Sequence, residues 1–218
     1  MVKDYKGFLI TLEGGEGSGK NSVINYIYKE LKKRGVDVIC TREPGGSKIS
    51  EKIRNIILDP SHTEMCIRTE LLLYEASRAQ HTDEVLKPNL QKGKLILCSR
   101  YYDSSTVYQG FVRGLNIEDV KTLNSFASDK IVPDLTILLD VEAEVGLKRC
   151  QREDFSESYD RLELAGLDFH KKVNKAFLKL AEMEPRIRIV DTNQSLQQVY
   201  RDTMEKYILP FCKKHSLL

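Results

Sequence analysis

Residues 8–22 read Phe8-Leu9-Ile10-Thr11-Leu12-Glu13-Gly14-Gly15-Glu16-Gly17-Ser18-Gly19-Lys20-Asn21-Ser22. An apolar run, FLITL, gives way to a glycine-rich loop. The loop leads into Val23, Ile24, Ile27 and Leu31, spaced as one face of a helix. Gly14-x4-Gly19-Lys20 is the spacing of a phosphate-binding loop, and the chemistry requires those residue types. Glycines let backbone N–H groups turn inward around an anion. The following helix presents its positive end, and the lysine reaches the β and γ phosphates. The dinucleotide pattern G-x-G-x-x-G fails, because its third glycine falls on Ser22. Gly14, Gly15, Glu16, Gly17, Ser18, Gly19, Lys20, Asn21 and Ser22 are therefore the expected nucleotide-phosphate cradle. One position departs from the motif. A phosphate loop normally follows its lysine with Ser or Thr, whose hydroxyl holds magnesium. Here that position is Asn21, and Ser22 comes one residue late, about 100° further round the helix.

Outward from this loop, four more short Ile/Val/Leu-rich runs read as strands buried on both faces: Val36–Thr41, Lys94–Cys98, Leu135–Val141 and Arg186–Asp191. Helical patterns separate them: Ser22–Arg34, Ser50–Leu58, Thr69–Asn89, Ile117–Ala127, Glu144–Cys150 and Asp168–Met183. Strand and helix alternating five times predict a doubly wound α/β fold with a five-stranded parallel sheet. Ligands then bind beyond the carboxyl ends of the strands.

The chain has 218 residues, 41% hydrophobic and 30% charged, which suits one globular domain over residues 1–218. Thirty-four basic against thirty-two acidic residues leave a formal charge of +2, no footprint for general nucleic-acid or polybasic membrane binding. No apolar run approaches the length of a membrane span, and residues 1–7 do not resemble a signal peptide. Cys40, Cys66, Cys98, Cys150 and Cys212 are odd in number and scattered, which reads as reduced thiols in a cytoplasmic protein. His62 and Cys66 stand four apart, but no second pair completes a zinc site.

The segments after the second and third strands look like an acceptor pocket. Arg42-Glu43-Pro44-Gly45-Gly46 follows the second, and Arg54 stands on the next helix. Thr69–His81 places Tyr74 and Arg78 four apart, on one helix face. Ser99–Gly110 reads SRYYDSSTVYQG. Arg78 and Arg100 are forked donors for a phosphate, Tyr74 and Tyr108 flat surfaces for a ring, and Ser105 and Gln109 readers of a base edge.

FLITLEGGEGSGK, REPGG, TELLLY…RAQH, RYYDSS…YQG and PDLTILLDV together resemble the bacterial type of thymidylate kinase, over nearly the whole chain. The resemblance implies a three-layer α/β/α phosphate-loop fold with a short lid, at about residues 149–163. It implies transfer of phosphate from ATP to dTMP in the presence of magnesium, and a homodimer. On that likeness Tyr74 stacks on thymine while Arg78 and Gln109 contact its edge. Arg100 binds the acceptor phosphate, as Arg42 or Arg54 also would. Glu16 approaches the sugar 3′-hydroxyl. Ser105 and Tyr108 complete the pocket, with Tyr108 disfavouring a 2′-hydroxyl. Arg149, Arg152 and Arg161 match the lid arginines, Arg152 and Arg161 for the phosphates and Arg149 for adenine. The loop Asp191–Ser195 would be the other wall of the adenine site.

A second departure emerges from the likeness. The family usually has Asp-Arg-Tyr or Asp-Arg-Phe where this chain has Ser99-Arg100-Tyr101. Both habitual magnesium contacts, positions 21 and 99, are thus altered. Either Asn21 and Ser99 form a different, water-mediated metal shell, or phosphoryl transfer is weakened. Glu13, Asp103 and Asp140 are the carboxylates available to compensate. Three rival readings follow: a catalytically weakened nucleotide-binding paralogue, another nucleoside monophosphate kinase, and a phosphate-loop hydrolase. The last lacks an N-K-x-D base-reading motif.

Overall fold

The computed structural model describes residues 5–150 and 166–218. Five strands form one parallel sheet: β1 Phe8–Glu13, β2 Val38–Arg42, β3 Leu95–Ser99, β4 Leu135–Asp140 and β5 Ile187–Asp191, in the spatial order β2-β3-β1-β4-β5. The central strand β1 pairs with β3 (Leu12 opposite Ser99) and with β4 (Glu13 opposite Leu138). The phosphate loop therefore leaves the middle of the sheet, flanked by the ends of β3 and β4.

The central strands β1, β3 and β4 are buried almost throughout, as their apolar runs require. The expectation of burial on both faces fails for β2 and β5. Both are edge strands and leave much of their length exposed: only Val38 is buried in β2, and only Ile187 and Val190 in β5. Cys40, on β2, is consequently exposed.

Helix α1, Lys20–Lys33, buries Val23, Ile24, Ile27 and Leu31 against the sheet. Each such side chain contributes roughly 1.5–3 kcal/mol by leaving water. Helix α2 spans Lys48–Leu58. Its N-cap Ser47 accepts a hydrogen bond from the Ser50 backbone N–H. Helix α3, Ile67–His81, continues through a π-helical turn, Thr82–Leu86, into α4, Lys87–Gln91. His62 lies before α3 rather than on it, so it shares no helix face with Cys66, which takes the N-cap position of that helix without a side-chain cap. Helix α6 is Ile117–Ala127, α7 Ala143–Cys150 and α8 Leu167–Met183.

Two helical stretches go beyond the alternation. Residues after β3 form α5, Tyr102–Ser105, and a π-helical segment, Thr106–Val112. The chain ends in α9, Leu196–Thr203, a π-helical turn at Met204–Ile208, and α10, Leu209–Lys214. Val199, Met204, Ile208 and Cys212 of this end pack into the same core as α1. Arg152, Arg161 and all but the first two residues of the expected lid lie outside the described residues.

Candidate active site

The loop between β1 and α1 is shaped by close backbone packing. Gly17 has φ +65°, and a side-chain carbon there would lie 2.0 Å from the Gly146 carbonyl oxygen. A carbon on Gly146 would lie 2.3 Å from the Glu16 carbonyl oxygen. The loop is thus seated on α7 through two glycines facing each other, and any larger residue at either position displaces it. Lys20, the first residue of α1, folds back over the loop. Its Nζ donates to the carbonyls of Gly14 (3.0 Å) and Gly15 (2.8 Å) and to Ser18 Oγ (3.2 Å). Burial, and then the nearby Arg100 guanidinium, lower its pKa to about 8. Asn21 and Ser22 are exposed on the first turn of α1.

Arg100 joins this loop to the segment after β3. It adopts φ +65°, a left-handed conformation costly for a residue with a side chain. That turn lets its backbone N–H donate to Leu12 O at 2.9 Å. Its guanidinium donates to Gly14 O at 3.1 Å and forms an ion pair with Glu16. Tyr108 completes the cluster: its hydroxyl donates to Glu16 Oε1 at 3.3 Å and accepts from Arg100 Nη1 at 3.4 Å. Burial raises the Glu16 pKa, but Arg100 and Lys20 outweigh it and hold the carboxyl at about 2.

Glu13, at the end of β1, behaves oppositely. Burial, and then Asp103, push its carboxyl up to about 7. It accepts from the Tyr101 backbone N–H at 2.7 Å and from Ser104 Oγ at 2.6 Å. Asp103 is held by Arg186 in a two-bonded fork, both contacts 2.7 Å.

The paired-arginine reading divides here. Arg78 is 2% exposed and its fork is taken up internally. Nε donates to Glu43 (2.8 Å), Nη1 to Glu75 (2.6 Å) and Asn124 (2.9 Å), and Nη2 to Ser105 Oγ (3.1 Å). Two carboxylates neutralise it, so the expectation that it offers a fork to a phosphate is corrected. Gln109 Nε2 donates to Glu70 at 2.7 Å, and Tyr74 packs on the cluster of Tyr108, Val173 and Phe177. Arg42 donates to both carboxylate oxygens of Glu51 at 2.9 Å, and Arg54 donates to Pro44 O at 3.0 Å.

On the far side of the loop, Arg149 donates to Gly17 O (3.4 Å) and Thr192 O (2.8 Å). It bridges the phosphate loop to the segment after β5. Asn21 and Ser99 both line a cleft of about 540 Å³, together with Cys40, Arg42, Lys48 and Glu51.

Sequence reasoning missed the contribution of α8. Asn174 donates to Val141 O, and a carbon on Gly15 would meet its Oδ1 at 2.5 Å. One turn earlier, His170 is buried, with neither ring nitrogen hydrogen-bonded among the described residues, and lies close enough to Glu16 to act on its charge. Helical spacing alone marks both residues only as an inward face of α8. The Arg186–Asp103 fork likewise joins residues far apart in the sequence.

A phosphate loop between β1 and α1, in a parallel sheet of order β2-β3-β1-β4-β5, defines a phosphate-loop nucleotide-binding protein. The family model described as thymidylate kinase matches residues 12–203. The chain belongs to the thymidylate kinase family. It is 47% identical over 202 residues to the thymidylate kinase of Shouchella clausii (strain KSM-K16), covering 92% of this chain and 94% of that protein. It is 48% identical over 198 residues to that of Clostridium novyi (strain NT), covering 90% and 96%. Among solved structures, thymidylate kinase from Ehrlichia chaffeensis superposes with a TM-score of 0.75 at 25% identity, covering 92% of this chain and 98% of that one.

Proposed function

We propose that this enzyme transfers the γ-phosphoryl group of ATP to dTMP, giving ADP and dTDP. The observation that carries the reading is the Arg100–Glu16–Tyr108 cluster, which ties the phosphate loop to the helical segment after β3. A donor phosphate cradled by the loop and an acceptor beside Arg100 would meet there. Phosphoryl transfer asks mainly for positioning and neutralised charge, and no dedicated general base is needed.

In this reading Lys20 exchanges its loop carbonyls for ATP phosphates, and Arg100 turns from Glu16 to the acceptor phosphate. Glu16 then accepts from the sugar 3′-hydroxyl. Tyr108 lies against the sugar and Tyr74 against the thymine ring. Gln109 and Arg78 address the base edge, with Ser105 fixing Arg78. Arg42 and Arg54 add positive charge beside the acceptor. Arg149 and the segment 191–195 wall the adenine, and Arg152 and Arg161 supply charge along the γ-phosphate path. Thymine is separated from uracil by one methyl group, worth only ~1–3 kcal/mol, so some dUMP turnover is expected.

A homodimer fits the exposed apolar side chains Ile56, Leu72 and Phe126 on α2, α3 and α6, of which Phe126 is 84% exposed. Free cysteines fit a reducing, cytoplasmic setting. Among the described residues no helix is long and apolar enough to cross a membrane. Phosphorus NMR of the protein mixed with ATP and dTMP tests the reaction directly. Resonances of dTDP and ADP growing together support it. ADP and inorganic phosphate without dTDP would contradict it.

A further inference from the structure

Phosphate-loop enzymes anchor magnesium with the hydroxyl after the loop lysine and a carboxylate at a strand end. Here those positions carry Asn21 on α1 and Ser99 at the end of β3, beside β1. Both line the same cleft, so the two changes bear on one place. The donor set does not fit a protein-held magnesium ion, which prefers one or two carboxylates with phosphates and water.

The carboxylates nearby do not make up the loss. Glu13 is taken by the Tyr101 N–H and the Ser104 hydroxyl. Asp103 is forked to Arg186, and Glu16 is paired with Arg100. Glu51, in the cleft wall, is held by Arg42 and the Gly46 N–H. Asp140 ends β4, on the opposite side of β1 from β3. Among the described residues no three His, Cys, Asp or Glu side chains gather as a metal site. The cleft's charged walls are Arg42, Lys48 and Glu51; Arg42 and Glu51 are paired with each other, so the one carboxylate lining the cleft is already committed.

We propose that this enzyme anchors no divalent metal of its own: the ion accompanying ATP is held by the triphosphate and water, with Asn21 and Ser99 offering only neutral oxygens. The inference rests on the ATP reading above. It implies that ATP binds almost equally well with and without magnesium.

Calorimetric titration of the purified protein with ATP, in excess magnesium and in EDTA, tests this. The two dissociation constants are expected to agree within about threefold. The Ser99→Asp variant should bind ATP more weakly in EDTA, opening a gap of about tenfold or more between the two conditions. Asn21→Asp, at an exposed position, makes the same test without disturbing the buried strand end. Unaltered protein binding ATP tenfold or more tightly with magnesium would overturn the inference while leaving the kinase reading intact. So would a manganese paramagnetic resonance signal showing bound ion without nucleotide. Absence of ATP binding in both conditions would overturn both readings.

Discussion

Arg100 and Glu16 form an ion pair that spans from the turn after β3 to the phosphate loop, and Tyr108 hydrogen-bonds to both. The pair is mostly shielded, with side-chain exposures of 18% and 16%. Removing one partner leaves the other charge uncompensated. Glu16→Gln should therefore lower stability by about 3 kcal/mol at neutral pH. The sign with pH follows from the depressed Glu16 pKa. Its contribution is present above the ordinary value of 4.5 and is lost as pH falls towards about 2. Thermal melts of both proteins should differ at pH 7 and converge near pH 2. A constant gap would contradict this account.

Glu13 predicts the opposite trend. A carboxyl pushed up to about 7 binds its proton more tightly folded than unfolded. It therefore lowers stability as pH rises from 4.5 to 7, and the full penalty is present above pH 7. Glu13→Gln keeps an acceptor for the Tyr101 N–H. It should raise the melting temperature at pH 8 and give little change at pH 4.5.

Arg78 neutralises two buried carboxylates, Glu43 at 2.8 Å and Glu75 at 2.6 Å. Arg78→Ala strands Glu75 and leaves Glu43 with His81 alone, and should destabilise by about 3–5 kcal/mol. Chemical denaturation measures it. A loss below about 1 kcal/mol would mean that the network is not held by this guanidinium.

The Gly146 backbone supports the Glu16–Gly17 backbone. Gly146→Ala puts a methyl group 2.3 Å from the Glu16 carbonyl oxygen, well inside contact distance. Overpacking of this kind costs about 1–3 kcal/mol. Shifting the loop by a fraction of an ångström should lower kcat by tenfold or more. Unchanged kcat would show that the loop is not positioned by α7.

The sheet and its central loop were legible because periodicity and glycine spacing are local signals. FLITL, KLILC and LTILLDV give three buried strands, and the lysine after Gly19 gives the loop. The edge strands misled because Val36–Thr41 and Arg186–Asp191 are apolar enough to look central, and only strand order makes them edges. The sequence marks Arg78 as a donor but not as a neutralised one, since Glu43, Asn124 and Ser105 reach it from other parts of the chain. His170 and Asn174 carry no local signature; the docking of α8 against the loop gives them a role. Position 99 was notable in the sequence, yet its sharing of a cleft with Asn21 appears only in three dimensions.

The central claim is that donor and acceptor phosphates meet at Arg100 and Glu16, and that the acceptor is dTMP. The direct measurement is the initial rate of ADP release from ATP with dTMP, dUMP, dGMP, dCMP or no acceptor. The account predicts fast release with dTMP, roughly 10–200-fold slower release with dUMP, and almost none in the other three cases. Release that is independent of acceptor, or fastest with dGMP or dCMP, would contradict it.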